Sequence, residues 1–201
     1  YIMEEFVNGY VQTFDGIVDS QGNMLFESGN ITPLSLMDIV NDNGDSVYYL
    51  VKEIPEKVRQ AGLATVKSFG VKSRFVHLEF FILNEDQEGL GKKGDVLGLE
   101  VNMRPAGGFT PEMYNYSQET DVYKIWADMI AFDYNTKDIG NPHFCAFYSR
   151  RDGKHYKLDD YEVMMRYGHK MVMWGRIPEA LSGAMANQMY VCNFDTEEEM
   201  M

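Results

Sequence analysis

Residues 97–110, LGLEVNMRPAGGFT, place Glu100, Asn102 and Arg104 at every second position, with Leu99, Val101 and Met103 between them. Successive side chains of an extended chain point to opposite faces, so this alternation demands a strand with one polar face and one aliphatic face that enters a core. A second apolar stretch, SRFVHLEFFILN, precedes it, and the connection between the two is polar and rich in glycine. That pattern is an antiparallel hairpin, in which Glu79 meets the face of Glu100, Asn102 and Arg104 across neighbouring strands. The connection holds Gly89-Leu-Gly91-Lys-Lys-Gly94, a literal GxGxxG. A dinucleotide fingerprint needs its glycines to open a helix, whereas the element that follows here is another strand, so these glycines read as a flexible hairpin loop.

The remaining elements give an α+β class. Strands are expected over residues 10–18 and 24–27, joined by a turn at DSQGN (19–23), and over residues 46–52. The text YIMEEFVNGYVQTFDGIV starts as if inside a strand, without a cap, so the chain is expected to be a piece of something longer. Pro55 suits a first helical position, and Val58, Leu63, Val66 and Phe69 form the apolar stripe of the helix after it. A further helix is expected over residues 119–132, with Val122, Ile125, Trp126, Met129 and Ile130 facing inward. From residue 140 the pattern becomes βαββ-like: strand HFCAFYSRR, helix LDDYEVMMRYG, then strands MVMWGRI and QMYVCNF. The closing DTEEEMM reads as a solvated acidic end. The expected organisation is one unit over residues 1–139 and a small α/β unit over 140–201.

Composition excludes several functions. The 201 residues are 45% hydrophobic, enough for a packed core, and carry a net charge of −13. A surface that neutralises nucleic-acid or lipid phosphates needs clustered Lys and Arg, so neither partner is expected, and anionic ligands must be held by local sites. No apolar run approaches the roughly 20 residues that cross a bilayer, and no signal-peptide pattern opens the chain; a soluble, cytoplasmic protein is expected. Cys145 and Cys192 stand apart, without a CxxC pair, and read as reduced core thiols. His77, His143, His155 and His169 are scattered, without zinc spacing, and read as ordinary structural or surface histidines. GxxxxGK[ST] and GxSxG motifs are both missing, which leaves no Walker-type phosphate loop and no nucleophile elbow.

Glu79, Glu100, Asn102 and Arg104 remain as the chemical constellation. Magnesium takes oxygen ligands, commonly one or two carboxylates plus phosphates and waters, and an Asn carbonyl is a suitable third protein donor. An Arg two positions along the same face reaches a phosphate oxygen with its bidentate fork. The alternative is a solvated sheet face with a Glu100–Arg104 ion pair worth about 0–1 kcal/mol. Gly107 and Gly108 favour the site, because glycine lets backbone amides approach an anion closely.

Three stretches in order, IMEEFVNG before a strand and the DSQGN turn, then HLEF, then EVNMRPAGG, resemble the ATP-grasp superfamily of carboxylate-amine ligases over most of residues 1–135. The resemblance implies the C-terminal half of an ATP-grasp domain, with an antiparallel sheet and flanking helices that hold ATP and Mg2+ or Mn2+. The half that supplies the lid and a phosphate-binding lysine would precede Tyr1, so residues 1–201 alone are expected to be inactive. Carried over by position, Glu5 and Val7 read the adenine through their backbone and Phe6 packs near the base. Glu79 and Glu100 become the metal carboxylates, Asn102 the amide ligand, and Arg104 the contact to the transferring phosphoryl group, with Gly107 and Gly108 beside it. Where many members place an acid for the ribose hydroxyls, this sequence has Val11, with Gln12 as the substitute.

The implied reaction activates a carboxylate as an acyl phosphate that an amine or thiol attacks, with small-molecule acid and amine as partners. A catalytically idle relative that binds nucleotide for regulation or assembly is the second reading, and a non-enzymatic acidic interaction domain the third. Residues 140–201, with SRRDGKHY and RIPEALSGAMANQMYV, resemble an extra C-terminal module of some ligase-like members, a lid or a homodimer surface. Arg150 and Arg151 are there expected to be either substrate contacts or exposed charges.

Overall fold

The structure is a computed structural model that describes residues 3–33 and 36–201. Among the described residues nine antiparallel strands form one sheet: β1 (Gly9–Val18), β2 (Met24–Ser28), β3 (Asn30–Thr32), β4 (Val47–Leu50), β5 (Arg74–Leu83), β6 (Val96–Asn102), β7 (Phe144–Arg150), β8 (Met171–Arg176) and β9 (Gln188–Phe194). The order across it is β6-β5-β1-β3-β4-β7-β9-β8, with β2 also paired to β1. β7 bonds to β4 from Tyr48↔Phe147 to Leu50↔Cys145, so the sheet continues without a break across residue 140. Residues 3–8 form no regular element, so the strand expected near the start begins only at Gly9; Tyr1 and Ile2 lie outside the described residues.

Seven α-helices accompany the sheet among the described residues: α1 (Leu36–Asn41), α2 (Glu56–Ser68), α3 (Thr110–Ser117), α4 (Val122–Phe132), α5 (Asp160–Tyr167), α6 (Glu179–Met185) and α7 (Glu197–Met200). α2 covers one face of β1 and β5, where Phe14, Val18, Val76, Leu78 and Phe80 pack against Val58 and Val66. Gly62 makes this approach possible: a Cβ on it would stand 2.2 Å from Phe14 Cγ. α3 and α4 cover the reverse face, burying Met113, Tyr114, Ile125 and Met129 against Ile17, Phe26, Phe75 and Phe147. Period-two alternation thus divides the two strands cleanly, with even positions facing α2 and odd positions facing α3 and α4. At about 1.5–3 kcal/mol for each large apolar side chain removed from water, these two layers dominate the stability. Cys145 and Cys192 are free and buried, as expected.

Several expectations are corrected. Pro55 is the N-cap of α2 rather than its first residue, and Phe69 caps its C-terminus with an exposed ring, because the helix ends before its stripe does. The expected helix over 119–132 begins at Val122; Asp121 caps it by accepting from the Lys124 amide at 3.0 Å, and Glu119 has a positive φ that no helix admits. Ile130 points to solvent. α3 and α6 were not anticipated. The acidic end is not simply solvated: Thr196 caps α7, and Met200 is buried against β7 and β9. Arg150 and Arg151 are not the exposed charges that one expectation made them. Arg150 lies over the Tyr156 ring at 4.6 Å and donates to Leu158 O, and Arg151, 8% exposed, donates to Gly44 O, Ser182 O and Gly183 O. No helix among the described residues is long and apolar enough to cross a membrane.

Candidate functional site

The odd faces of β1 and β5 are covered by α3 and α4 only at one end, over Ile17 and Phe75. Toward the other end Val11, Thr13, His77, Glu79 and Phe81 stay uncovered by helix and line a cavity of about 510 Å³. Arg104, Gly107 and Gly108 bound it on one side, and Met185 of α6 on another. The wall mixes aliphatic and aromatic surface with a few polar groups, the usual make-up of a small-molecule site.

The hairpin forms as the alternation requires. β5 and β6 pair with Glu79 opposite Glu100 and His77 opposite Asn102, which puts all four on one face of the sheet; His77 and Glu79 line the cavity, while Glu100 and Asn102 lie beside it and outside its lining. Glu100 and Arg104 are exposed and Asn102 is half-buried. Arg104 is not paired with Glu100; its Nη1 donates to Pro105 O at 2.9 Å. Nδ2 of Asn102, the donor end of the amide, is buried without a hydrogen-bond partner among the described residues.

The aliphatic half of the alternation does not behave as expected. A bulge shifts the register so that Phe80 faces Gly98, leaving Leu99 as the extra residue; it turns into the cavity lining. Leu99 is 43% and Val101 39% exposed, because β6 is the sheet edge and α2 reaches only Val96 and Met103 at its ends. A bulge typically bends the bulged strand and re-aims side chains in this way.

His77 is a structural histidine, buried and held at both ring nitrogens. It lies in the cavity wall with Nδ1 2.5 Å from Asp15 Oδ1 and Nε2 2.9 Å from Glu79 Oε1. Asp15 is buried, and its Oδ2 accepts from the Thr13 hydroxyl. Burial draws the imidazole pKa down, but the hydrogen bonds and charges of Asp15 and Glu79 outweigh it and raise the value to about 10. The ring is therefore an imidazolium that donates to both carboxylates and offsets one of their charges. The sequence carried a signal for half of this, since His77 and Glu79 stand two apart on one strand; Asp15 enters only through the β1–β5 register, Asp15↔His77.

The expected nucleotide residues are not all brought together. Glu5 and Phe6 are exposed, Phe6 to 82%, and neither they nor Val7 line the cavity; the wall starts two residues later at Gly9. The Phe6 carbonyl accepts from Gln87 Nε2 at 3.3 Å, which fastens this segment to the β5–β6 connection. Val11 does line the cavity. Gln12 does not: alternation turns it to the reverse face, where it is 1% exposed, so its side chain cannot replace an acid at the ribose. Gly107 and Gly108 are both exposed on the cavity rim, and Gly108 has φ +61°.

Among the described residues no group of three or more His, Cys, Asp and Glu side chains is arranged to hold a metal ion. Two carboxylates opposite one another and a neighbouring amide are nevertheless oxygen donors of the kind that suits a hard cation taking its other ligands from phosphates and water. The donor chemistry therefore fits magnesium better than zinc, whose sites need His or Cys.

No protein-family model matches the sequence, and no curated protein does. Solved structures do match. Phosphoribosylglycinamide synthetase from Anaerococcus prevotii superposes on 98% of the chain with a TM-score of 0.65 at 14% identity, and the chain covers 51% of it. The phosphoribosylaminoimidazole carboxylase ATPase subunit from Aquifex aeolicus gives 0.62 at 13% identity, covering 98% of the chain and 57% of its own. The biotin carboxylase domain dimer of the Hydrogenobacter thermophilus 2-oxoglutarate carboxylase, a complex with MgADP, ADP and bicarbonate, gives 0.58 at 12% identity over 96% of the chain and 43% of its own. The chain thus spans about half the length of these neighbours. With an antiparallel sheet whose Glu79, Glu100 and Asn102 share one face, it has the fold of these ATP-grasp enzymes over about half of their length.

Proposed function

We propose that the chain is part of an ATP- and magnesium-dependent ligase that joins a carboxylate to an amine or thiol through an acyl phosphate. The observation that carries this reading is the in-register face of Glu79, Glu100 and Asn102 beside Arg104 and the Gly107-Gly108 rim. Glu79, Glu100 and Asn102 would hold the cation, which when bound neutralises phosphate charge. Arg104 would meet the transferring phosphoryl group, with its exposed guanidinium free to turn from Pro105 O to an anion. The rim glycines let phosphate approach the backbone without a side chain in the way. A carboxylate is a poor electrophile, and converting it to an acyl phosphate, then expelling phosphate as the amine attacks, needs positioning and charge stabilisation rather than a protein nucleophile. The apolar walls at Val11, Leu99 and Phe81 suit a base more than a highly charged group. Because the chain covers about half of its neighbours, ligase activity is assigned to the complete polypeptide and not to residues 1–201 alone.

The test is ADP release by the complete polypeptide with Mg·ATP and pooled carboxylic acids, with and without pooled amines, using Asn102→Ala as the blank. Turnover that needs both pools supports the ligase; turnover retained by Asn102→Ala sinks the residue assignment. One observation favours a second reading, an idle relative that binds nucleotide for regulation. Val11 offers no hydrogen bond at the ribose position and Gln12 faces away. Nucleotide binding without turnover under any pool would select that reading.

A further inference from the structure

Asp15 and His77 have no part in the reaction as written above, yet His77 stands in the cavity wall and Asp15 is buried behind it. His77 is clamped at both ring nitrogens, by Asp15 Oδ1 at 2.5 Å and Glu79 Oε1 at 2.9 Å. Asp15 is anchored in turn by the Thr13 hydroxyl, and that hydroxyl accepts from the backbone amide of Asn30 at 3.0 Å. An unbroken hydrogen-bonded path therefore runs from the backbone of β3, through three side chains of β1 and β5, to one oxygen of Glu79. Its effect is local and definite. With Oε1 held by His77, Oε2 of Glu79 is the oxygen left without a hydrogen bond among the described residues, and the residue opposite is Glu100.

An unsupported glutamate would lose its rotamer freedom only on capturing a ligand, whereas this one has already lost it. Hydrogen bonds of this kind behind a metal carboxylate fix its orientation and are as consequential as many direct ligands. We propose that Asp15 and His77 are positioning residues that hold the Glu79 carboxylate ready for a divalent cation shared with Glu100 and Asn102. The proposal rests on the reading of that face as a metal-nucleotide site, and it adds two residues which neither touch the cation nor belong to the expected ligand set.

The experiment uses the complete polypeptide with ADP, and Mn2+ as the probe, following free Mn2+ by electron paramagnetic resonance. His77→Ala is expected to weaken Mn2+ binding about 10–100-fold, as loss of a supporting hydrogen bond does elsewhere, with metal-free ADP binding retained as the control for folding. The decisive arm is the double variant: if His77 acts through Glu79, His77→Ala makes no further difference in a Glu79→Gln background. A loss that persists in that background overturns the proposal, because His77 would then act by another route. Asp15→Asn, which keeps the volume and one acceptor, is the second variant if His77→Ala does not fold; about a tenfold loss is expected, and unchanged Mn2+ affinity overturns the proposal while leaving the metal face intact. Absence of Mn2+ binding by the unaltered protein with ADP overturns the metal reading itself, and the positioning role with it.

Discussion

Glu79 and Glu100 stand directly opposite one another across β5 and β6, two carboxylates on the same face of the sheet with no Lys or Arg among the described residues paired to either. Directly opposed side chains of an antiparallel pair have Cβ atoms about 4.5–5.5 Å apart, and like charges there destabilise the pair by about 0.2–1 kcal/mol. His77 relieves part of this by binding Glu79, whereas the Glu100 carboxylate has no hydrogen bond or ion pair among the described residues. Removing that charge should therefore have two opposite effects. Glu100→Gln is expected to raise the metal-free melting temperature slightly and to abolish the increase that Mg2+ with ADP gives the unaltered protein. Thermal unfolding of both proteins with and without Mg·ADP checks it, and an undiminished Mg2+ response in the variant would remove Glu100 from the metal site.

The two rim glycines are not equivalent. Gly108 has φ +61°, and a Cβ there would stand 2.9 Å from Met185 Cε; Gly107 has neither a positive φ nor a neighbour within 4 Å of the added atom. Gly108→Ala is expected to cost about 1–2 kcal/mol in left-handed backbone strain, and Gly107→Ala far less. Since the Met185 contact is with the end of a flexible chain, Met185→Ala should recover only the small crowding part in the Gly108→Ala background. Urea unfolding of the four proteins measures this; equal costs at Gly107 and Gly108 would contradict the backbone account.

Much of the site was legible because its logic is local. Alternation alone placed Glu100, Asn102 and Arg104 on one face, and the polar connection after Leu83 made the hairpin that brings Glu79 to them. What failed depends on partners far away in sequence. The bulge at Leu99 is a slip of one residue settled by pairing with β5, and no pattern in LGLEVNMR announces it. The burial of Asp15 beside His77 needs the β1–β5 register, 62 residues apart. α3 was hidden because its helix opens on Thr110-Pro111 straight after two glycines and is held by burying Met113 and Tyr114, not by propensity. Phe69 and Ile130 fit their helical stripes and still face water, since a stripe is buried only as far as the opposing sheet extends.

The turn between β1 and β2 is held by one carboxylate, and this gives stability a pH dependence with a definite sign. Asp19 Oδ1 accepts from the amides of Gln21 and Asn23, both at 2.8 Å, and Oδ2 accepts from Asn23 Nδ2 at 3.0 Å. Burial alone would raise its pKa, but these hydrogen bonds to the ionised form outweigh burial and lower it. A depressed folded-state value means the contribution is complete above the unfolded value of about 3.9 and is lost as pH falls through the lower folded one. Urea midpoints between pH 2 and 6 should fall more steeply on acidification for the unaltered protein than for Asp19→Asn. At neutral pH the variant should be less stable by about 1–3 kcal/mol, the cost of weakening hydrogen bonds to a buried charge. Parallel pH profiles would show that Asp19 titrates alike in both states.

Arg151 connects the far side of the sheet to the cavity. Its guanidinium is almost fully buried and spans three backbone carbonyls: Nε donates to Gly44 O at 2.5 Å, Nη1 to Ser182 O at 3.0 Å and Nη2 to Gly183 O at 2.8 Å. Two of those carbonyls belong to the last turn of α6, just before Ala184 and Met185, which line the cavity opposite the glycine rim. A cation at the carbonyl end of a helix is favourable, and only a planar fork can meet three acceptors in different directions. Arg151→Ala leaves those carbonyls unpaired and is expected to cost about 2–4 kcal/mol, at about 1–3 kcal/mol per buried group less what water recovers. Lysine, a single point charge on a flexible stem, should restore less than half. If the account is right, the damage is not confined to stability: release of α6 removes Met185 from the wall, so protection of the Ala184 and Met185 amides from hydrogen exchange should fall with that of α6, while β1 and β5 stay protected. Uniform loss across the sheet would mean that Arg151 supports the whole fold and not this helix.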